Sequence, residues 1–387
     1  MKKSKKILFY AHNHTNYGAT KSLLDLVFEF NQLKDCKVSI IITGPGDIAE
    51  ILEAKNIEYH ILNHKKWVYN KKIYDDKKSV IISKLWLFKN ILERNLYNLS
   101  VLGRHLSLVR RINPSLIYVN TSVAPIGLIC GFLLRKKTVW HLRETINNEL
   151  TFSFFDSHYF IFKYFLKNVD LAIYNSYYLL NFYKAAKYPN SKVCYIGFHD
   201  YSSIKVYNSN FGNTKIRLGM VGRLCEQKGQ LEIIKELSKL ETDRFEVHLY
   251  GDGSPIYVKL LSDVVKNNNV VLHGFEKEIE NIYTNIDFLV SNAKNESFGR
   301  VLIEANLFSK PVIALNSGAS SELVEDGTNG FKYNDLHMFQ LVLKKINKFS
   351  EKEYNNLCTS SRKHAVDNYS IHQSFKCIQN SISNILE

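Results

Sequence analysis

Nowhere in this 387-residue chain do two cysteines stand in a C-x-x-C pair; Cys36, Cys130, Cys194, Cys225, Cys358 and Cys377 lie scattered, with no histidine cluster beside them. That spacing argues against a zinc site and against a disulfide framework, and it suggests a reducing cytoplasm. Long apolar runs are missing too. The longest, Val123 to Leu134, is far short of a bilayer span, and the basic start MKKSKKILFYA has too few apolar residues before His12 for a signal-peptide core. No D-x-D occurs, so the usual carboxylate pair for a metal-bound diphosphate is absent. No internal repeat or low-complexity tract is present, and no motif of a nucleic-acid-binding protein. Acid is scarce in one half only. Residues 1–200 hold 29 Lys and Arg against 15 Asp and Glu, a balance of +14, whereas residues 201–387 hold 22 of each. The basic half suits an anionic partner such as a phospholipid surface or a lipid-phosphate acceptor, and equally a solubilising surface; nucleic acid is the weaker partner.

A length of this order suggests two domains, each with its own core. The most informative stretch is NESFGRVLIEANLFSKPVIA, Asn295 to Ala314. The apolar run Phe288-Leu289-Val290 precedes it as a strand, Asn295 and Gly299 allow a tight turn, and Val301, Leu302, Ala305, Leu307 and Phe308 repeat at helical spacing. A second buried strand, Pro311 to Leu315, follows. Such a βαβ unit places the loop at the carboxyl edge of a parallel sheet, where ligands bind. The amides of Phe298, Gly299, Arg300 and Val301 then open a helix and suit a phosphate, with Ser297 a further donor-site candidate. Glu296 and Glu304 bracket the stretch, and eight positions of helical rise put the two carboxylates roughly 12 Å apart along the helix, one for each end of a pyrophosphate. Carboxylates accept hydrogen bonds from sugar hydroxyls. A nucleotide sugar, with hydroxyls at both ends and a diphosphate between, fits that arrangement.

The string E-S-F-G-x4-E-A-x4-K-P-V-I-A resembles the E-x7-E signature of retaining glycosyltransferases of family 4. Ser309 stands where that family commonly has Gly, at a helix C-cap. The resemblance implies an α/β GT-B fold, two Rossmann-like doubly wound domains facing a central cleft: residues 1–200 binding acceptor, 201–368 binding the nucleotide-sugar donor, and a helix over 369–387 crossing back to the first domain. The strand candidates of the first half, Ile7–Ala11, Val38–Thr43, Ile57–Leu62, Leu116–Asn120, Thr138–Leu142, Leu171–Asn175 and Val193–Ile196, alternate with helical stretches as such a domain requires.

Taken in order, Gly18 opens a helix after the first strand. In the resembled family a small-residue loop here lines the cleft, which makes Asn16 and Gly18 candidates, although Gly18 also reads as a plain turn residue. Gly44-Pro45-Gly46-Asp47-Ile48-Ala49 matches G-x-G-x-x-A formally, but Pro45 removes an amide and no acid follows at the expected distance, so a dinucleotide site is not expected. From His64 to Arg111, Lys and Arg mix with Trp67, Tyr69, Trp86 and Phe88, a composition suited to a membrane interface or to a helix pair with one solvated face. The aromatic run Phe152 to Phe165 reads as a buried helix or a wall for an apolar acceptor tail. At the end of the strand in TVWHLRET, His141 resembles the family's histidine facing the donor sugar, where it would donate a hydrogen bond; Arg143 and Glu144 are acceptor candidates. Residues 197–215 have turn formers and little periodicity, as a linker does. After it, G-R-x4-K-G places Gly222, Arg223 and Lys228 in a loop, and in the resembled family these cations bind the diphosphate leaving group, leaving no need of a metal. Gly274, Phe275 and Glu276 resemble the segment that borders the base, and Gly318 the family's close-approach glycine. The tail Tyr369–Leu386 is amphipathic.

The expected activity is therefore transfer of a sugar from a UDP- or GDP-sugar to a glycan or lipid-linked acceptor, with retention and without cofactor or metal. The expected setting is bacterial capsule or lipopolysaccharide synthesis by a cytoplasmic, peripherally membrane-associated enzyme. Glu296, His141, Arg223 and Lys228 would be the catalytic group and Glu304 the ribose ligand. A nucleotide-sugar epimerase of the same fold and a non-catalytic module for anionic glycan or lipid are the rival readings.

Overall fold

A computed structural model describes residues 4–15, 18–66, 68–70, 80–145, 150–152, 158–199, 211, 215–240, 243–265 and 269–387. Asn16, Trp67, residues 71–79 of the basic run, residues 153–157 and most of the expected linker lie outside them. The chain divides into two compact units, residues 1–195 with 374–387, and residues 196–373.

The first unit runs β1 (Lys5–Tyr10), α1 (Ala19–Asn31), β2 (Cys36–Ile42), α2 (Asp47–Ala54), β3 (Glu58–Ile61), β4 (Val68–Asn70), α3 (Val80–Ile112), β5 (Leu116–Asn120), α4 (Ile126–Leu133), β6 (Lys137–Leu142), β7 (Leu150–Phe152), α5 (His158–Asn168), β8 (Leu171–Tyr174), α6 (Tyr177–Phe182) and β9 (Ser191–Val193). Seven of these strands form one parallel sheet in the order β3-β2-β1-β5-β6-β8-β9, while β4 and β7 pair as a separate antiparallel ribbon. Strands buried on both faces explain the continuous apolar runs. Ile7, Phe9, Val38 and Ile40 face α1 and α2; Leu8, Tyr10, Ile41 and Val119 face α3 to α6. The last strand lies a few residues before the expected Val193–Ile196, because the pairing with β8 ends at Val193.

The second unit runs β10 (Ile216–Val221), α7 (Gln230–Leu237), β11 (Phe245–Tyr250), α8 (Pro255–Val265), β12 (Val270–Gly274), α9 (Ile279–Thr284), β13 (Phe288–Ser291), α10 (Arg300–Leu307), β14 (Val312–Leu315), α11 (Ser320–Leu323), β15 (Gly330–Tyr333), α12 (Leu336–Ile346) and α13 (Glu351–Tyr369). Its six-stranded parallel sheet is ordered β12-β11-β10-β13-β14-β15. Sequence reasoning missed β15, whose GFKY has a glycine and a lysine in four residues. In both sheets the strand order reverses beside the first strand, between β1 and β5 and between β10 and β13. Carboxyl ends at such a switch point form a crevice for ligands.

The final helix, α14 (Ile371–Leu386), returns to the first unit, where Phe375, Ile378 and Ile382 join the core around α1 and β2. It carries Cys377, which is disulfide-bonded to Cys194 across a separation of 183 residues. This corrects the expectation of a chain without disulfides. Spacing gave no sign of the pair, because only the return of α14 brings the two side chains together.

Candidate functional site

Three loops of the second unit meet at the carboxyl ends of β10, β13 and β14. The first, Gly222 to Gly229, is fixed by Asn292 at the end of β13. The Asn292 amide is buried and donates to Gly229 O and to Glu232 Oε2 at 3.3 and 2.8 Å, while Tyr333 Oη donates to Asn292 Oδ1 at 2.9 Å. Gly229 has φ 65°, and a Cβ there would sit 2.2 Å from the Asn292 amide nitrogen, so no side chain fits. The second loop is Asn292 to Gly299. Asn295 and Gly299 both take the left-handed conformation, φ 58° and 82°, and end the strand direction before α10 begins at Arg300. Glu296 therefore lies in the loop, not on the helix, and the separation of the two glutamates calculated from helical rise does not apply. The third loop presses Gly318 against the second: a Cβ on Gly318 would lie 2.5 Å from Glu296 O and 2.6 Å from Glu296 N, and Ala319 N donates to Glu296 O at 2.9 Å.

These contacts bring two of the expected residues together. Lys228 Nζ lies 2.7 Å from Glu296 Oε1, both partly buried. Arg223, from the same loop as Lys228, is exposed and has no ion-pair partner among the described residues. Beside them α10 starts at Arg300 behind the left-handed Gly299, with Leu302 N donating to Gly299 O at 3.0 Å. The Phe298 ring is 2% exposed and stacks on Phe198, so only its backbone is offered to a ligand. Ser297 is partly buried. Arg300 places its guanidinium 4.6 Å from the Phe198 ring and 3.3 Å from Glu304 Oε1, and Tyr283 Oη donates to Glu304 Oε2 at 3.3 Å. Val301 contributes its carbonyl to the same tyrosine. Glu304 is thus oriented by a cation and a phenol, neither singled out for that role in the sequence. At the ends of β10 to β12, Gly222 N donates to Tyr250 O and Gly251 N to Gly274 O, at 2.9 and 2.7 Å. Beyond this backbone ledge Phe275 is exposed, and Glu276 accepts from Glu278 N at 2.9 Å, a bond to the charged form that lowers its pKa.

In the first unit the ends of β5 and β6 hold a buried polar network. His141 Nδ1 accepts from the Tyr118 hydroxyl and from Arg143 Nη2. Arg143 can only donate, so Nδ1 carries no proton and the neutral ring holds its proton at Nε2. Burial first, then the Arg143 charge, lowers the His141 pKa well below the usual range, so the ring stays neutral. Its Nε2 is buried and has no hydrogen-bond partner among the described residues. Arg143, expected at an acceptor, is 5% exposed and directs Nε to Asn120 Oδ1 at 2.6 Å. Glu144 accepts from the amide and the hydroxyl of Ser122, both at 3.1 Å; burial raises its pKa, with these bonds opposing. Gly18 caps α1 at φ 42° with open space around its Cα, so backbone conformation rather than room requires glycine. The Gly44-Pro45-Gly46 turn packs on His14. Among the described residues no cluster of His, Cys, Asp and Glu has the geometry of a metal site.

Two doubly wound parallel sheets in one chain define the GT-B fold, and in the second sheet the loop carrying Arg223 and Lys228 lies beside the start of α10 at the switch point. Comparison with known proteins agrees with that class. Residues 205–367 match the family model described as glycosyl transferases group 1. The uncharacterized glycosyltransferase MJ1178 of Methanocaldococcus jannaschii is 29% identical over 305 residues, covering 76% of this chain and 81% of that protein. The capsular polysaccharide biosynthesis glycosyltransferase CapM of Staphylococcus aureus is 29% identical over 154 residues, 38% of this chain and 39% of CapM. HepE of Anabaena, solved in complex with UDP and glucose, superposes with a TM-score of 0.76 at 22% identity, covering 98% of this chain and 99% of HepE. Several relatives of this chain are thus named glycosyltransferases, including one of capsular polysaccharide biosynthesis.

Proposed function

We propose that the protein is a retaining glycosyltransferase that moves a hexosyl group from a nucleotide sugar to a glycan or lipid-linked acceptor during synthesis of a bacterial surface polysaccharide. The observation that carries this reading is the pairing of Lys228 with Glu296 ahead of α10 at one switch point, on a loop that also carries Arg223. Arg223 and Lys228 hold the diphosphate and stabilise the charge that grows on it as the bond to the anomeric carbon breaks. Glu304, oriented by Arg300 and Tyr283, accepts from the ribose hydroxyls, and the Gly274–Glu276 segment borders the base. Glu296 accepts from the sugar, and His141 donates to it through Nε2–H. The acceptor oxygen bonds to the anomeric carbon on the face the phosphate leaves, and its proton passes to the departing phosphate oxygen. Two cations and a helix N-terminus supply the charge that a metal would otherwise provide. Among the two donor classes UDP-sugars are favoured, since HepE binds UDP and glucose.

The test is a thermal-shift panel of UDP, GDP, ADP and their sugars, repeated on Arg223→Ala. A rise with a uridine ligand that the variant loses supports the reading. No rise with any nucleotide would overturn it.

The same reading places the acceptor at an anionic membrane surface. α3 carries six Lys and Arg against one Glu. Asn98, near its middle, clasps the backbone of Lys65 just beyond the carboxyl end of β3 with bonds of 2.8 and 2.9 Å. On the helix near that point Leu92, Leu96 and Leu99 are 48, 55 and 66% exposed on one face. Co-sedimentation with phosphatidylglycerol vesicles, lost in a Leu92→Ser, Leu96→Ser, Leu99→Ser variant, is the expected outcome; equal pelleting of both proteins would remove the membrane from the proposal. Among the described residues no helix is long and apolar enough to cross a bilayer.

A further inference from the structure

The sheet of the first unit carries a second polar assembly at its opposite, amino edge. A cavity of 270 Å3 opens there, lined by Lys6, Lys37, Ser39, Glu58, His60 and Arg111 among others. Strand periodicity puts Lys6 with Leu8 and Tyr10, and Lys37 and Ser39 with Ile41, on the face packed beneath the helices. The apolar pattern of this face therefore fails in one contiguous patch that spans three strands. Lys6 and Lys37 occupy directly opposed positions in the β1–β2 register, as do Ser39 and Glu58 in β2–β3. Opposed like charges on one sheet face destabilise the pair unless something anionic lies between them.

The acids present do not balance the patch. Glu58 takes Lys37 at 3.3 Å and lies 3.4 Å from His60 Nε2. Lys6 Nζ donates to Ile112 O, at the end of α3, at 3.3 Å, which complements that helix's negative terminus. Arg111 is exposed and has no ion pair among the described residues. Ser39 is 4% exposed, and its hydroxyl makes no hydrogen bond to a described residue. Burial lowers the His60 pKa, with Glu58 opposing and Arg111 adding to the fall. Three fixed cations against one carboxylate leave two positive charges around the cavity. The helix terminus accounts for Lys6 and Glu58 for Lys37, but neither accounts for Arg111 or the buried serine.

We infer that this cavity binds the phosphate group of a small molecule or headgroup, with Lys6, Lys37 and Arg111 neutralising the anion and Ser39 donating its hydroxyl. Arg111 offers the planar fork that grips two phosphate oxygens at once. The site is independent of the reading given to the second unit. Its ligand class is a phosphomonoester or diphosphate, and it lies at the amino edge of the first unit's sheet, opposite the ends of β5 and β6 that hold His141.

Calorimetric titration of the full chain with orthophosphate and with pyrophosphate, with UDP in excess so that any diphosphate site in the second unit is filled, tests the proposal. Saturable binding is expected, weakened about tenfold or more in Arg111→Ala and in Lys37→Gln. Arg110→Ala, an exposed neighbour that does not line the cavity, is expected to bind as wild type. A parallel arm uses vesicles containing phosphatidic acid. Arg111-dependent capture by vesicles alone would identify the source as a lipid headgroup, with the site unchanged. Absence of saturable binding in both arms, or equal weakening by Arg110→Ala, would overturn the assignment.

Discussion

His141 presents one protonated nitrogen, because the guanidinium of Arg143 and the phenol of Tyr118 both address the other. The expected outcome is measurable without any substrate: nitrogen chemical shifts of the His141 imidazole at pH 7 should report the Nε2–H tautomer, and a protonated ring or the Nδ1–H form would contradict the role of hydrogen-bond donor. Ser309 carries a different constraint. Ser309 N donates to Asn306 O and Lys310 N to Ala305 O, the two bonds of a Schellman cap, and Ser309 itself sits at φ 57°. Glycine adopts that conformation without steric cost, so Ser309→Gly is expected to raise unfolding stability by about 0.5–1 kcal/mol in urea titration. Gly318→Ala should act on the site instead. Its methyl would meet the Glu296 backbone, and a tenfold or greater loss of UDP affinity with an unchanged fold is the outcome to look for in calorimetry. The cap at Ser309 was legible from its place before Lys310-Pro311. The tautomer was not, since Tyr118 is 23 residues from His141 and nothing in the spacing links them.

At the scale of elements, α14 shows how a helix distant in sequence completes a core. Its apolar stripe was legible as amphipathic, and the stripe says that one face is buried without saying where. The structure sets Phe375 against Phe30, ring centroids 4.9 Å apart, and ties Cys377 to Cys194 at the end of the same unit. Closing a loop of that length constrains the unfolded chain, which is worth about 2–4 kcal/mol. Cys377→Ala should therefore lower the midpoint of unfolding under non-reducing conditions. A reductant should lower it equally in the wild type and leave the variant unmoved. If reductant has no effect on the wild type, the disulfide contributes nothing to stability. The loop before α10 makes the opposite case. Asn295, Gly299 and the apolar spacing that follows are local features, and they sufficed to place a strand, a turn and a helix, whereas the position of Glu296 outside the helix depended on where the left-handed residues fell.

For the molecule as a whole, acid is the condition that tests packing most directly. His64 and His105 are 5 and 0% exposed and lie with ring centroids 5.5 Å apart against Tyr10. Burial lowers their pKa values to about 3 and about 4, with His105 adding to the fall at His64. An unfolded chain binds protons on both near the ordinary histidine value. The stability they contribute is complete above about pH 6.5 and is lost as pH falls toward 4 and 3, by roughly 1.4 kcal/mol per pH unit for each ring. Urea unfolding at pH 7.5, 5.5 and 4.5 should show this slope, and His105→Phe should reduce it. An unchanged slope in the variant would place the acid lability elsewhere.

The sequence alone determined the alternation of strands and helices, the two-sheet architecture, the loop that carries Glu296 and the concentration of positive charge in the first half. The alternation and the loop rest on periodicity and spacing within some twenty residues, the charge on composition, and the two-sheet architecture on chain length together with the family resemblance. Only the tertiary structure decided that Lys228 meets Glu296 across 68 positions, that Asn292 and Tyr333 brace the cationic loop, that Cys194 joins Cys377, and that Lys6 and Lys37 face one another over a cavity. The physical reason is the parallel sheet itself. Its strands are joined by crossover helices, so residues adjacent at one sheet edge are separated in the chain by whole βα units.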